Sequence, residues 1–257
     1  MIRGLYSAAA GMLSAQLREG VVADNLANSQ TVGYQALSAT VSSFGAKKVD
    51  LVPGATGSVL SPAPRAVGIV TSGSLLDATQ LEFTPGPLQQ STNPLAAAIQ
   101  GPGMFAVQTA GGVRYTRAGD FHLSGSNQLV DPQGNPVLGA NGRPLQVAPG
   151  AGTVHLEANG QLMRGGQPVG QVAVFLPATT QLQPVGQGLY QLAAGAPAAT
   201  VLPANLTPGF LEGANVDVTG QMAGLLQIQQ VFNADASALQ AANNTMRTAQ
   251  NDVGTTA

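Results

Sequence analysis

The sequence predicts an α+β fold: a discontinuous N- and C-terminal α-helical coiled-coil domain plus a central antiparallel all-β domain. Three observations predict it. Residues 2–28 are rich in Ala, Leu and Met and contain no Pro, which is the composition of a helix. Val218, Leu225, Phe232, Leu239 and Met246 stand at seven-residue steps. That spacing marks a coiled-coil seam, because a lone surface helix drifts toward a period of about 3.6. Between the two ends, turn signals recur at intervals of about 8–12 residues, the rhythm of short antiparallel strands.

The first helix is expected to stop ahead of Gly33. Leu5, Met12 and Leu26 share one heptad register, with Ala8, Ala15 and Val22 three residues further on and Glu19 interrupting the seam. Tyr6, Leu13, Leu17 and Val21 lie on other faces. The helix is therefore apolar around more than one stripe and should meet several neighbours.

Residues 38–70 are rich in Gly, Pro, Ser and Ala and carry Lys47 and Lys48; they read as an extended connector. From 71 to 211 the chain reads as one β-rich outer domain. Its turns fall at Asn93-Pro94, Ala110-Gly111-Gly112, Asp131-Pro132-Gln133-Gly134, Asn141-Gly142, Asn159-Gly160 and Gly165-Gly166. Met104–Val107 and Val113–Thr116 flank the second of these as a hairpin. A weak repeat relates Gln128-Leu129 and Gly134-Asn135-Pro136-Val137 to Gln161-Leu162 and Gly166-Gln167-Pro168-Val169. Val172–Leu176 has the look of a buried strand.

The last helix runs from 218, with Asn215 or Asp217 as its cap. At a rise of about 1.5 Å per residue it reaches about 50 Å by residue 250. Met222, Ile228, Ala236, Ala242 and Ala249 flank the seam, and Asp235 is the sole charge from 218 to 246. The outer face is Gln, Asn, Ser and Thr. A helix packed on its own β domain would share the apolar stripe, but so long a neutral helix favours pairing of the two ends with each other and with further copies. Residues 1–37 and 212–257 are thus assigned to one helical domain.

Scarce charge has two readings: burial between copies, which fits the last helix, and a neutral Gln, Asn, Ser and Thr surface, which fits the β stretch equally well. The 257 residues hold 10 Lys and Arg against 12 Asp and Glu. That is 9% charged, where an ordinary domain has roughly 25%. Between Arg164 and Glu212 there is none. A net charge of −2 provides no basic field for nucleic acid. Without Cys there are no disulfides, thiolate metal sites or Cys nucleophiles. The N-terminal stretch is broken by Ser7, Gly11, Ser14 and Gln16, so neither a cleaved signal nor membrane insertion is expected.

Chemistry is poorly supplied. His122 and His155 stand in β segments with no carboxylate placed to orient them. Gly101-Pro102-Gly103-Met104-Phe105-Ala106 matches a loose dinucleotide pattern, but a hairpin follows it where a helix is required. Asp120, Asp131 and Glu157 are scattered turn and strand-end residues, and Arg114 and Arg117 read as a solvated ladder. Asn205-Leu206-Thr207 is a glycosylation sequon without supporting context. No catalytic, cofactor or metal residue is assigned, and the chain is not expected to be an enzyme.

The blocks of sequence nevertheless resemble a known family. Ser7–Met12, followed by Asp24-Asn25-Leu26-Ala27-Asn28-Ser29-Gln30-Thr31-Val32-Gly33-Tyr34, is similar to the N-terminal signature of bacterial flagellar rod and hook proteins. Asn93-Pro94-Leu95, Ala98–Gly101, Gly103–Phe105, Val107-Gln108, Arg114–Phe121 and Pro136–Gly139 match the centre. Gly209–Asp217, including Leu211, Glu212, Asn215, Val216 and Asp217, matches the C-terminal block. Length and a single β domain resemble the proximal or distal rod subunits; a hook-type axial subunit is the alternative.

The resemblance implies a structural rod subunit that polymerises through its terminal helices into a helical axial tube and carries torque to the hook. It implies export through the flagellum's own type III apparatus to the basal body without signal cleavage. Its partners would be copies of itself, neighbouring rod and hook proteins and surrounding ring proteins. The subunit interface is then expected at Leu5, Met12, Val22, Leu26, Val218, Met222, Leu225, Ile228, Phe232, Leu239 and Met246. Gln229-Gln230-Val231-Phe232 stands where the family often places an Arg-aromatic pair, and the tail ending Gly254-Thr255-Thr256-Ala257 is expected to fray. A reading of another class is a β-domain adhesin or carbohydrate-binding module, which requires an exposed aromatic platform.

Overall fold

The computed structural model describes residues 2–45, 47–51, 65–70, 73–150, 152–178 and 181–254. The chain divides into two compact units. The first comprises the described residues of Met1–Ala23, Ser38–Thr79 and Thr219–Ala257; the second comprises Asp24–Leu37 and Gln80–Val218.

Helix α1 spans Ile2–Ala27 and helix α2 spans Val218–Gly254. Between them lie β1 (Leu37–Phe44), β2 (Lys47–Leu51), β3 (Arg65–Val70) and β4 (Gly73–Leu81). Then come β5 (Leu88–Gln90), β6 (Ala97–Ile99), β7 (Phe105–Thr109), β8 (Gly112–Thr116), β9 (His122–Leu123) and β10 (Leu129–Val130). They are followed by β11 (Val154–Leu156), β12 (Gln161–Arg164), β13 (Gln167–Gln171), β14 (Val174–Leu176) and β15 (Leu182–Gly186). The series closes with β16 (Leu189–Leu192), β17 (Thr200–Leu202), β18 (Leu206–Pro208) and β19 (Phe210–Glu212).

In the first unit, β1 pairs with β4 and β2 pairs antiparallel with β3. The 38–70 segment read as a connector therefore carries β1, β2 and β3, while residues 46 and 52–64 lie outside the described residues. On α1, Ala8 and Ala15 are buried, and Leu5, Met12 and Val22 are half-buried. On α2, Ile228 is buried, with Leu225, Phe232, Leu239 and Met246 half-buried on the same stripe. Gly11 packs against the Asp235 carboxylate, which a Cβ would displace. The end of the tail, 255–257, lies outside the described residues.

The expected coiled coil is overturned. The described residues form two helices and many short antiparallel strands, and α1 and α2 are not among the elements that meet along an extended seam. Val218 and Met222, at the start of the supposed seam, are 40% and 54% exposed. The physical reason is that a seven-residue step fixes only which residues share a stripe. Knobs-into-holes packing also needs a partner helix close along the whole length. The terminal helices and the intervening strands themselves are present.

The second unit holds the larger core. Strand β7 is buried on both sides, so its alternating side chains enter two clusters. Phe105 and Val107 join Phe121, Leu129, Val137, Leu162 and Val172 on one side. Ala106 and the preceding Met104 join Tyr115, Leu138, Phe175 and Tyr190 on the other. The rings of Phe105 and Phe121 meet edge to face at 4.9 Å and 83°. Antiparallel β7–β8 is the hairpin read from Ala110-Gly111, and it extends through β16 to β15 in one four-stranded sheet. The weak repeat also has structural content, since Leu129 and Leu162 are both fully buried.

Candidate functional site

The enzymatic patterns do not converge. His122 and His155 are exposed on β9 and β11. Among the described residues no cluster of His, Asp and Glu is arranged to hold a metal ion. Gly101 and Gly103 precede strand β7, and a Cβ at Gly103 would strike Val174, so packing accounts for that glycine. No helix among the described residues is long and apolar enough to cross a membrane.

The concentrated chemistry lies where the two chain ends enter the second unit. The last turn of α1 closes through Asn28 N–H to the Asp24 carbonyl and Ser29 N–H to the Leu26 carbonyl. The chain then reverses at Gly33, whose φ of 69° lies in the left-handed region. No Cβ fits there against the backbone of Arg117 and Ala118. Gly33 N–H donates to the Glu212 carbonyl at 2.7 Å, which ties the chain ends together.

Asn25 is buried and bonds the Leu37 backbone twice, giving its Nδ2 to the carbonyl and accepting the N–H at Oδ1, each at 2.8 Å. The Tyr34 hydroxyl donates to the same Oδ1 at 3.2 Å. Burial, and then the nearby Asp24 carboxylate, push the Tyr34 pKa up. Gln35, fully buried, donates its N–H to the Tyr190 hydroxyl at 2.9 Å and its Nε2 to Glu212 Oε1 at 3.3 Å. Desolvation pushes the Tyr190 phenol far above its ordinary value, although the Gln35 bond works against that shift.

On the C-terminal side, Glu212 is 1% exposed and Arg117 2% exposed, with Nε and Oε2 at 3.2 Å. Neither atom has a hydrogen-bond partner, so this contact is an ion pair without good hydrogen-bond alignment. Glu212 Oε1 also accepts the Gly86 N–H at 3.1 Å, and Arg117 Nη2 donates to the Gly101 carbonyl at 2.7 Å. Asn215 Oδ1 accepts the Ala36 N–H at 2.6 Å, while its Nδ2 faces the carbonyls of Glu82 and Thr84 at 2.6 and 3.0 Å. Asn215 is thus spent on joining three segments and not on capping α2.

Of the residues singled out from the sequence, Asn25, Gly33, Tyr34, Glu212 and Asn215 meet in this junction. Asn28 and Thr31 bond each other in the turn beside it. Leu26, Leu211 and Val216 are half-buried, whereas Ala27 and Asp217 face solvent. The sequence reading missed Gln35 and Tyr190, and it misplaced Arg117 as a solvated group. Strand alternation carried no signal for it, because Tyr115, Thr116 and Arg117 are all buried where β8 ends.

The junction joins the segments that known proteins match. The flagellar hook protein FlgE/F/G D1 domain family matches residues 98–164, and the flagellar basal body rod FlgEFG protein C-terminal family matches 207–252. Arg117 lies in the first and Glu212 in the second. Flagellar basal-body rod protein FlgF of Mesorhizobium japonicum is 30% identical over 235 residues, covering 91% of this chain and 90% of that protein. The chain belongs to the flagellar basal-body rod protein family. Basal-body rod protein FlgG of Bacillus subtilis is 26% identical across 92% of this chain and 93% of its own length. The hook-basal body complex protein FlhO of the same organism is 27% identical across 99% of each chain. Members of the rod family are structural proteins of the flagellum and not enzymes.

Proposed function

We propose that this chain is a rod subunit that polymerises into the axial tube of the basal body and passes torque toward the hook. The observation that carries this reading is the apolar surface left open on both helices of the first unit. Tyr6, Leu13 and Leu17 on α1 are 67%, 50% and 42% exposed, and Leu226 and Val231 on α2 are 61% and 45% exposed. Such surface on a chain so poor in charge marks an association face. Val218 and Met222 belong to it as well. The other interface residues named from the sequence (Leu5, Met12, Val22, Leu26, Leu225, Ile228, Phe232, Leu239 and Met246) support it from the shielded side of each helix.

In this reading, the terminal helices line the inside of the tube and the β domain lies outside. Helical polymers use contacts that do not close on themselves, so each copy needs two complementary faces. The partners are further copies, neighbouring rod and hook proteins and surrounding ring proteins. Delivery is through the flagellar export apparatus. The adhesin reading is not favoured: Phe105, Phe121, Phe175, Tyr115 and Tyr190 are buried, and Tyr6 is the one strongly exposed aromatic among the described residues.

The test is sedimentation of the purified chain against concentration, beside a variant carrying Leu13→Ser, Leu17→Ser and Leu226→Ser. Concentration-dependent polymers of the parent chain that the variant cannot form are expected. A chain that stays monomeric throughout, or a variant that polymerises equally well, overturns the reading.

A further inference from the structure

We propose that Arg117, Glu212, Gln35 and Asn215 form a reciprocal lock, in which neither chain end is fixed in the second unit without the other. The two ends are far apart in sequence: Gln35 and Glu212 bond across 177 positions. Each supplies what the other lacks. The C-terminal segment gives the acceptors for Gly33 N–H and Ala36 N–H, namely the Glu212 carbonyl and Asn215 Oδ1. The N-terminal segment gives Tyr34's carbonyl to Asn215 N–H and Gln35 Nε2 to Glu212. Beneath both, the core contributes a guanidinium that is 2% exposed and whose one carboxylate partner among the described residues is Glu212.

The lock is tight because three backbone approaches leave no room for slack. A Cβ at Gly33 meets Ala118 and Arg117, one at Gly86 meets the Gly213 carbonyl, and one at Gly119 meets the Ala97 carbonyl. Without Glu212 a buried cation stands uncompensated, which is far costlier than losing an exposed pair. With it, Gly33 N–H and Ala36 N–H gain their acceptors at the same moment. Order at residues 33–36, the root of α1, is thereby conditional on residues 212–215, the root of α2. In the rod reading, this keeps a chain with an unfixed C-terminal end from presenting a fixed N-terminal helix for assembly. That consequence rests on the rod reading; the lock itself does not.

Hydrogen exchange on the full, unassembled chain tests the lock separately from assembly. In Glu212→Gln, the amides of Gly33, Gln35 and Ala36 should exchange about tenfold faster, while Leu162 and Met163 in β12 keep their protection. In Gln35→Ala, the amides of Gly86 and Asn215 should speed up likewise. A double variant, Arg117→Met with Glu212→Leu, removes both charges and keeps the volume filled, so it guards against a chain that fails to fold. Fast exchange at residues 33–36 despite parental global stability supports the lock. Parental protection at residues 33–36 in Glu212→Gln or in the double variant overturns it, as does loss confined to the mutated chain end.

Discussion

The Arg117 guanidinium and the Glu212 carboxylate meet at 3.2 Å with both side chains withdrawn from solvent. One comes from the β core and the other from the segment entering the last helix. A buried pair of this kind is a weak source of net stability, because desolvation offsets most of the attraction. Its effect is asymmetric. Removing one partner strands the other, so the pair enforces which segments must be together.

Glu212→Ala is expected to destabilise the second unit by about 3–5 kcal/mol, the range for breaking a buried pair. Urea denaturation followed by circular dichroism measures it. Glu157→Ala, on a more accessible carboxylate, provides the comparison and should stay within about 0.5 kcal/mol of the parent. Equal losses in both variants would show that Glu212 has no special role.

Gly33→Ala should cost more than Gly134→Ala, although both glycines have positive φ, 69° and 86°. The left-handed conformation alone costs roughly 1–2 kcal/mol for an L-residue. At Gly134 a Cβ enters open space, whereas at Gly33 it meets the Ala118 backbone. Denaturation midpoints of the two variants read the difference directly.

Within α1, Gly20→Ala should stabilise the chain by about 1 kcal/mol, since an exposed helical glycine with open space around it gains only propensity. Gly11→Ala should do the opposite, because its Cβ meets the Asp235 side chain. Adding Asp235→Ala to Gly11→Ala is expected to restore helicity and melting temperature. Failure of that rescue would place the cost elsewhere than at the contact.

Alkaline pH should unfold the second unit. The Tyr190 phenol is raised far above its ordinary value of 10.0 by burial, and those of Tyr34 and Tyr115 are raised as well. Each group is protonated in the folded chain at a pH where the unfolded chain has released its proton. Their contribution is therefore complete below pH about 10 and is lost as pH rises through the folded values. Tyr190→Phe should flatten the fall in stability above pH about 10, while also leaving Gln35 N–H without its acceptor at neutral pH. A pH titration of the urea midpoint checks both effects.

Sequence alone determined the two helices, the hairpin at Ala110-Gly111, the end of the first helix ahead of Gly33 and the family, since each rests on local chemistry. An apolar stripe, a glycine past a helix end, and short motifs in order are all readable along one dimension. It also located the scarcity of charge without saying what each remaining charge does. Only the tertiary structure decided that. The seven-residue step in α2 names the residues of a stripe but not its partner, so the expected coiled coil did not follow. Arg117 and Glu212 look like two ordinary surface charges until the fold brings them together. Burial depends on which distant segments close over a residue, and neither composition nor periodicity specifies that.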